Sequence, residues 1–78
     1  AKEECHFSNG TQRVRLLGRW FFDRQELFYF DSERGKFVAV AELGEPEAKR
    51  FNQDKNVLRI AMADVDAFCR HNYGIFEP

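Results

Sequence analysis

The side chains that could support catalysis or metal binding are few in this sequence. His6 and His71 lie near opposite ends of the chain, on different predicted elements. Asp64 and Asp66 are separated by one residue, so they would not share a face of a helix. Only two serines and one threonine are present, and the cysteines and histidines lack the close paired spacing of a zinc site. The sequence therefore argues against an enzyme and predicts neither a metal site nor a cofactor.

The two cysteines, Cys5 and Cys69, lie near opposite ends of the chain. A disulfide between them would close a loop of about 65 residues and stabilise the fold by about 4 kcal/mol in the chain-entropy model. A small core needs support on this scale. The alternative is a pair of buried free thiols in a cytosolic protein. The residues alone leave both interpretations open.

Length and charge restrict the function further. The chain has 78 residues, enough for one domain that buries only about 60% of its unfolded surface. Its net charge of -1 provides no basic surface for nucleic acid or an anionic membrane. No apolar run approaches the roughly 18 to 20 residues of a membrane span, and the N-terminus lacks signal-peptide character. We therefore expect a single domain over residues 1–78, excised from a longer chain, that binds no nucleic acid and is not itself membrane-inserted.

The first half of the chain, about residues 3–43, has the two-residue alternation of β-strands. Asn9-Gly10 is a strong hairpin signal, because both residues tolerate a positive φ. The pattern predicts strands over about residues 3–8, 12–22, 27–30 and 36–41, with polar turns at 23–26 and 31–35. These strands form a four-stranded antiparallel meander.

The second predicted strand separates a charged face from an apolar one. The charged face carries Arg13, Arg15 and Arg19. The apolar face carries Val14, Leu16, Trp20 and Phe22, with Gly18 between them. We expect the first face to be solvated or salt-bridged and the second to be covered.

The second half, about residues 45–72, has helical spacing. Pro46 suits the first turn of a helix. The first segment should end near Phe51, because the cluster at 52–54 is rich in side chains that compete for backbone hydrogen bonds. A second segment should run over about 54–70, with an apolar arc wider than one sheet contact requires.

The predicted fold is α+β, a four-stranded antiparallel sheet with one long kinked helix on one face. A sheet with a single helix cannot cover its own apolar face, which carries Leu16, Trp20, Leu27 and Phe37. That face is therefore either the core of a dimer or the floor of a binding site.

Several short motifs are specific in combination, above all the run Cys69-Arg70-His71-Asn72-Tyr73-Gly74 at the end of a predicted helix. The accompanying segments are Glu4-Cys5-His6-Phe7, Asn9-Gly10-Thr11, Arg13-Val14-Arg15, Phe30-Asp31-Ser32, Ala39-Val40, Glu42-Leu43-Gly44-Glu45-Pro46-Glu47-Ala48 and Val65-Asp66. With these motifs the chain resembles the beta-1 domain of the MHC class II beta chain over nearly its whole length.

The resemblance implies half of an MHC antigen-recognition platform. Four strands would form half of an eight-stranded floor and the kinked helix one wall, and an MHC class II alpha chain would supply the rest. An extended antigenic peptide would lie between the two helices and be read by a T-cell receptor. The segment would be an extracellular or lumenal part of a type I membrane protein of the cell surface and endosomes.

The resemblance also implies which residues bind peptide. Asn72 would pair with the peptide backbone through its amide, and His71 would donate to a peptide carbonyl. The other positions carried over are Glu3, Leu16, Gly18, Trp20, Leu27, Phe37, Glu47, Phe51, Val57, Ile60, Ala61, Asp64, Phe68, Ile75 and Phe76. Because Glu3 and Asp64 are acidic and Ala61 stands where basic residues often occur, we expect a preference for Lys or Arg at a central peptide position.

Two covalent features follow from the same resemblance. Cys5 and Cys69 match the family's disulfide between floor and helix. Asn9-Gly10-Thr11 matches its N-glycosylation site, although the same residues also suit a plain hairpin turn.

Departures from the family pattern leave alternatives. Phe51 replaces the usual Trp and lacks its N–H donor, and Phe76, beside Ile75, stands where the family tends to have Gly or Val. With Trp20 projecting from the floor, the groove would be narrow, as in a nonclassical member with a peptide-exchange or accessory role. A small secreted inhibitor or ligand-binding module is the alternative outside the family, and it would fold as a monomer.

Overall fold

A computed structural model describes residues 1–9 and 12–76, with the side chain of Phe76 outside the described part. Four antiparallel strands form one sheet in the order β1-β2-β3-β4. Their bounds are β1 Lys2–Ser8, β2 Arg13–Phe22, β3 Gln25–Asp31 and β4 Lys36–Ala39. The predicted meander is confirmed. Gly10 and Thr11 of the predicted hairpin lie outside the described residues.

The predicted turn at 23–26 is wrong in length. β3 begins at Gln25, two residues earlier than expected, and only Asp23 and Arg24 form the turn. Both have a positive φ, 55° and 69°, which matches the twist of a two-residue hairpin. The sequence does not reveal this two-residue turn, because neither of its residues is the glycine that usually marks one.

The fourth strand is shorter than predicted, since β4 ends at Ala39 rather than Ala41. The backbone N–H groups of Val40 and Ala41 both donate to the carbonyl oxygen of Leu27, at 2.8 and 3.1 Å. This turns the chain across the end of β3 and into a short 3-10 helix, Glu42–Gly44.

Gly44 allows the chain to pass close to β3 just before the first α-helix begins. A Cβ atom on Gly44 would lie 2.0 Å from the carbonyl oxygen of Leu27, so no other residue allows the chain to approach β3 this closely. Helix α1 follows at once over Glu45–Asn52, with Pro46 in its first turn.

The predicted break after α1 is confirmed, and the predicted end of the helix is wrong. The helical path is interrupted at Gln53 and Asp54 and resumes as α2, Lys55–Asp64, where Asp54 caps the N–H groups of Asn56 and Val57. It continues as a π-helical segment, Val65–Arg70, and runs beyond residue 70 as α3, His71–Phe76. None of the described helices is long and apolar enough to cross a membrane.

Two apolar clusters join the helices to the sheet. The first has Phe28, Phe30, Phe37 and Ala48 at its buried centre. The second has Leu16, Val65 and Cys69, and it lies next to the Cys5–Cys69 disulfide that the resemblance implies. The helical arm is thereby fixed to β3 and β4 near its start and to β1 and β2 near its end. Phe22 does not join either cluster, and it is 67% exposed at the end of β2.

Candidate peptide-binding face

The face of the sheet that carries Arg13, Arg15 and Arg19, which we call the underside, is covered by a network of ion pairs. Arg19 donates to Glu4 at 2.7 Å and to Glu26 at 2.9 Å, so it links three strands. Hydrogen bonds from Arg19 hold the pKa of Glu4 below its usual value, and the two carboxylates raise the pKa of Arg19. The face with three arginines is therefore salt-bridged, one of the two states expected from the sequence.

Asp31 is the one buried charged side chain among the described residues, with 1% of its surface exposed. Arg15 donates to both of its carboxylate oxygens, at 3.1 and 2.6 Å, and the backbone N–H of Glu33 donates at 3.0 Å. These donors, Arg15 first, lower the pKa of Asp31. The underside thus satisfies its own charges, which leaves the opposite face as the candidate for ligand binding.

The opposite face, which we call the floor, is aromatic in its β2–β4 half. Trp20 stacks on Phe28 with ring centroids 5.0 Å apart, and Phe37 lies 5.8 Å from Trp20. Phe51 packs from α1 against Phe28 at 5.8 Å and Phe37 at 5.3 Å. Phe28 and Phe37 are buried, whereas Trp20 and Phe51 remain partly exposed. The accessible part of this cluster is therefore formed by Trp20 and Phe51.

The predicted floor residues differ in how far the chain's own helices cover them. Leu16 is buried beneath Val65 and Cys69. Leu27 packs against the aromatic cluster, and Glu3 is exposed on β1 opposite Gly18. Glu3 is therefore accessible from solvent, whereas Leu16 lies under the helix.

Apolar helix residues remain uncovered beside the floor. Val57 and Ala61 pack partly against the aromatic cluster. Ile60, Phe68 and Ile75, in contrast, are 63%, 37% and 58% exposed. Large apolar side chains exposed in a row along a helix are typical of an interaction surface.

The last helical turns are anchored on both sides of the polar candidates. Cys69 is fully buried in its disulfide with Cys5, and the ring of Tyr73 lies 5.0 Å from that of Phe7 on β1. Asn72, between the two anchors, is partly buried, and its neighbour His71 is exposed. Asn72 is thus held on a rigid support, as a side chain that pairs with an extended backbone requires.

Two further acidic candidates sit on the helices. Asp64, the last residue of α2, is partly exposed. Glu47, one of the positions carried over from the family, accepts a hydrogen bond from Arg50 of its own helix. Phe76 ends α3, but its side chain lies outside the described residues.

Sequence reasoning missed Asn52, which links the helix interruption to β4. Its Nδ2 donates to the carbonyl oxygen of Phe37 at 2.8 Å, and its Oδ1 accepts from the Phe37 N–H at 2.7 Å. In the sequence, Asn52 stands out only as part of a helix-breaking cluster. Its partner is 15 positions away, so no local signal could identify the contact.

A sheet of four antiparallel strands with an interrupted helical arm on one face is the architecture of an antigen-recognition half-platform. The family model for the class II histocompatibility antigen beta domain matches residues 1–77, and the chain belongs to this family.

Three relatives are similar over almost the whole chain. The human HLA class II histocompatibility antigen, DRB1 beta chain, is 54% identical over 97% of this chain, which is 29% of the relative. The dog DLA class II DR-1 beta chain is 51% identical over 99% of this chain and 29% of the relative. The mouse H-2 class II E-D beta chain is 51% identical over 95% of this chain and 28% of the relative. The chain thus spans less than a third of the length of these relatives.

Proposed function

We propose that this chain is the beta half of a peptide-binding groove that presents antigenic peptides to T-cell receptors. The observation that carries the proposal is the row of exposed apolar side chains, Ile60, Phe68 and Ile75, on a helical arm beside an aromatic floor. A second chain and a peptide would cover these side chains. An MHC class II alpha chain is the partner that fits.

The open edge of the sheet supports this partner. On β4, the backbone groups of Phe37 are already bonded to Asn52. β1 has only β2 as a neighbour in the described sheet. An unpaired strand edge is a ready template for another chain. The alpha chain would therefore add its strands at Lys2–Ser8 and complete an eight-stranded floor.

Peptide would be held mainly through its backbone. The Asn72 amide carries one acceptor and a donor group, so it can pair with the C=O and N–H of an extended peptide whatever its sequence. His71 would add a further donor. Side-chain selection would then come from the floor and wall residues, with Glu3 and Asp64 favouring a basic central anchor.

The remaining predictions belong to the whole protein. We expect no enzymatic activity, an N-linked glycan at Asn9, and a place in the extracellular or lumenal part of a type I membrane protein. Trp20, Ile75 and Phe76 favour a narrow groove, and Phe51 lacks the N–H donor of the family's usual Trp, so a nonclassical member with a peptide-exchange or accessory role is the second candidate.

The decisive experiment uses the full beta chain coexpressed with its alpha chain. Material eluted from the heterodimer at low pH is analysed by mass spectrometry. Peptides with shared anchors support presentation, and an empty groove supports the nonclassical role. A beta chain that stays a folded monomer on size-exclusion chromatography, with or without the alpha chain, contradicts both.

The role of Asn72 is tested with a matched asparagine. We expect Asn72→Ala to accelerate peptide dissociation at least fivefold, from the loss of about one net hydrogen bond. Asn56→Ala is the control, because Asn56 is exposed on α2 and its side chain accepts a hydrogen bond from Arg59 of the same helix. Equal rates for the two variants would count against the proposed role.

A further inference from the structure

The interruption between α1 and α2 is tied to the sheet by one side chain. The Asn52 amide bonds both the N–H and the C=O of Phe37, at 2.7 and 2.8 Å. These groups lie on the outer edge of β4, where the described sheet has no further strand. Asn52 therefore satisfies the strand edge as a single residue of a neighbouring strand would.

The preceding residue holds the same strand through its ring. Phe51 packs against the Phe37 ring at 5.3 Å and against Phe28 at 5.8 Å. Two consecutive helix residues thus contact Phe37, one through its backbone and one through its side chain. Because adjacent Cα atoms are about 3.8 Å apart, a shift of Asn52 away from β4 would carry Phe51 with it.

Asn52 is not needed to start the next helix. Asp54 already caps α2 by accepting from the N–H groups of Asn56 at 3.0 Å and Val57 at 3.3 Å. At the end of α1, the N–H of Gln53 bonds back to the carbonyl of Lys49 at 3.2 Å. Both helix ends therefore have their own partners, and the Asn52 side chain is left to fix the helix against the sheet.

We propose that Asn52 is a positioning residue for peptide binding, which holds the partly exposed ring of Phe51 at a fixed place over the floor. The inference rests on the proposed function, since it assumes that Phe51 contacts peptide. Asn52 itself touches β4 and acts on peptide through Phe51. Loss of the Asn52 hydrogen bonds would allow Phe51 to move. Peptide binding would then be weaker in the part of the groove near Phe51.

The test measures peptide dissociation from the full heterodimer. We expect Asn52→Ala to accelerate dissociation about fivefold, the equivalent of one net hydrogen bond, while the control Asn56→Ala stays at the wild-type rate. In a Phe51→Leu background the same Asn52→Ala change should accelerate dissociation less than twofold, because the ring that Asn52 positions is absent. A purely structural residue would have the same effect in both backgrounds.

A second variant covers the case in which Asn52→Ala does not assemble. Asn52→Asp keeps the size of the side chain, but its carboxylate cannot donate to the Phe37 carbonyl. A protonated carboxyl group restores one donor and one acceptor in the same arrangement. We expect the ratio of variant to wild-type dissociation rates to fall toward one as the pH is lowered from 7 to about 4.

The outcomes separate the two proposals. If the wild-type heterodimer holds no peptide, the proposed function fails and the inference falls with it. If the wild type holds peptide, the positioning role alone is overturned by equal effects of Asn52→Ala in both backgrounds. A pH-independent rate ratio for Asn52→Asp overturns it equally.

Discussion

The indole of Trp20 lies over Gly18, two residues earlier on β2. A Cβ atom on Gly18 would come within 3.3 Å of Cζ3 and 3.4 Å of Cη2 of Trp20. The indole is held from the other side by Phe28, which stacks on it at 5.0 Å with the planes 13° apart. Gly18 and Trp20 are thus a matched pair, in which the missing side chain makes room for the large one.

We predict that the effect of Gly18→Ala depends on Trp20. In the native background the methyl group is overpacked, and the free energy of unfolding should fall by about 1 kcal/mol. In a Trp20→Leu background the same change should raise it by about 0.5 kcal/mol, because Gly18 has ordinary strand geometry and alanine restricts the unfolded chain. Denaturant titration of the four assembled proteins measures both values. The same sign in both backgrounds would contradict the pairing.

The Cys5–Cys69 disulfide should carry a large share of the stability. The two residues are 64 positions apart, and Cys69 is fully buried beside Leu16 and Val65. We expect the double variant Cys5→Ala/Cys69→Ala to lose about 2 to 5 kcal/mol in the free energy of unfolding. Reduced wild type is the matched control and should unfold at a similar urea concentration. An unchanged midpoint for the double variant would show that packing alone holds the helix to β1.

Much of the fold could be predicted because its signals are local. The strand alternation, the helix-compatible Pro46 and the breaking cluster at 52–54 act within a few residues, and each produced the element expected of it. The π-helical segment Val65–Arg70 could not be predicted in this way. Val65 and Cys69, four residues apart and both buried, would share a face of an ordinary α-helix as well, so their spacing carries no signal for the wider turn.

Local sequence patterns also fail to predict most of the candidate site. The candidate peptide-binding positions are proposed from the family resemblance, because no local pattern at a position such as Ile60 distinguishes a groove residue from an ordinary core residue. The extent to which Leu16 is covered by Val65 depends on where the helix crosses the sheet. The bonds of Asn52 to Phe37 depend on the same crossing. Such contacts follow only from three-dimensional packing.

The Arg15–Asp31 pair should determine how the free energy of unfolding decreases at acid pH. Arg15 lowers the pKa of Asp31 in the folded chain, so the stabilisation is fully present above the ordinary aspartate pKa of about 4 and is lost as the pH falls through the lowered folded value. We expect Asp31→Asn to cost about 1 to 3 kcal/mol at pH 7 and to flatten the stability profile below pH 4.

The matched control for this pair is Asp66→Asn. Asp66 accepts from Arg70 at 2.6 Å on the exposed side of the helical arm, and such surface pairs contribute about 0.5 kcal/mol or less. The measurement is urea unfolding from pH 2 to pH 8. An Asp31→Asn profile parallel to that of wild type would show that another group governs acid unfolding.

Charge on the candidate face should select the peptide. Glu3 is exposed on β1 opposite Gly18, and Asp64 is partly exposed at the end of α2. Two unit charges attract by about 1 kcal/mol at 4 Å even in bulk water. A peptide with a central Lys should therefore bind at least about fivefold more tightly than the same peptide with a central Glu. The affinity advantage of the Lys peptide should shrink at high salt and in the double variant Glu3→Gln/Asp64→Asn. The control Asp66→Asn should preserve this advantage, because Asp66 pairs with Arg70. Competition binding with the matched peptides measures each ratio, and equal affinities for Lys and Glu in the wild type would remove these two carboxylates from the specificity of the site.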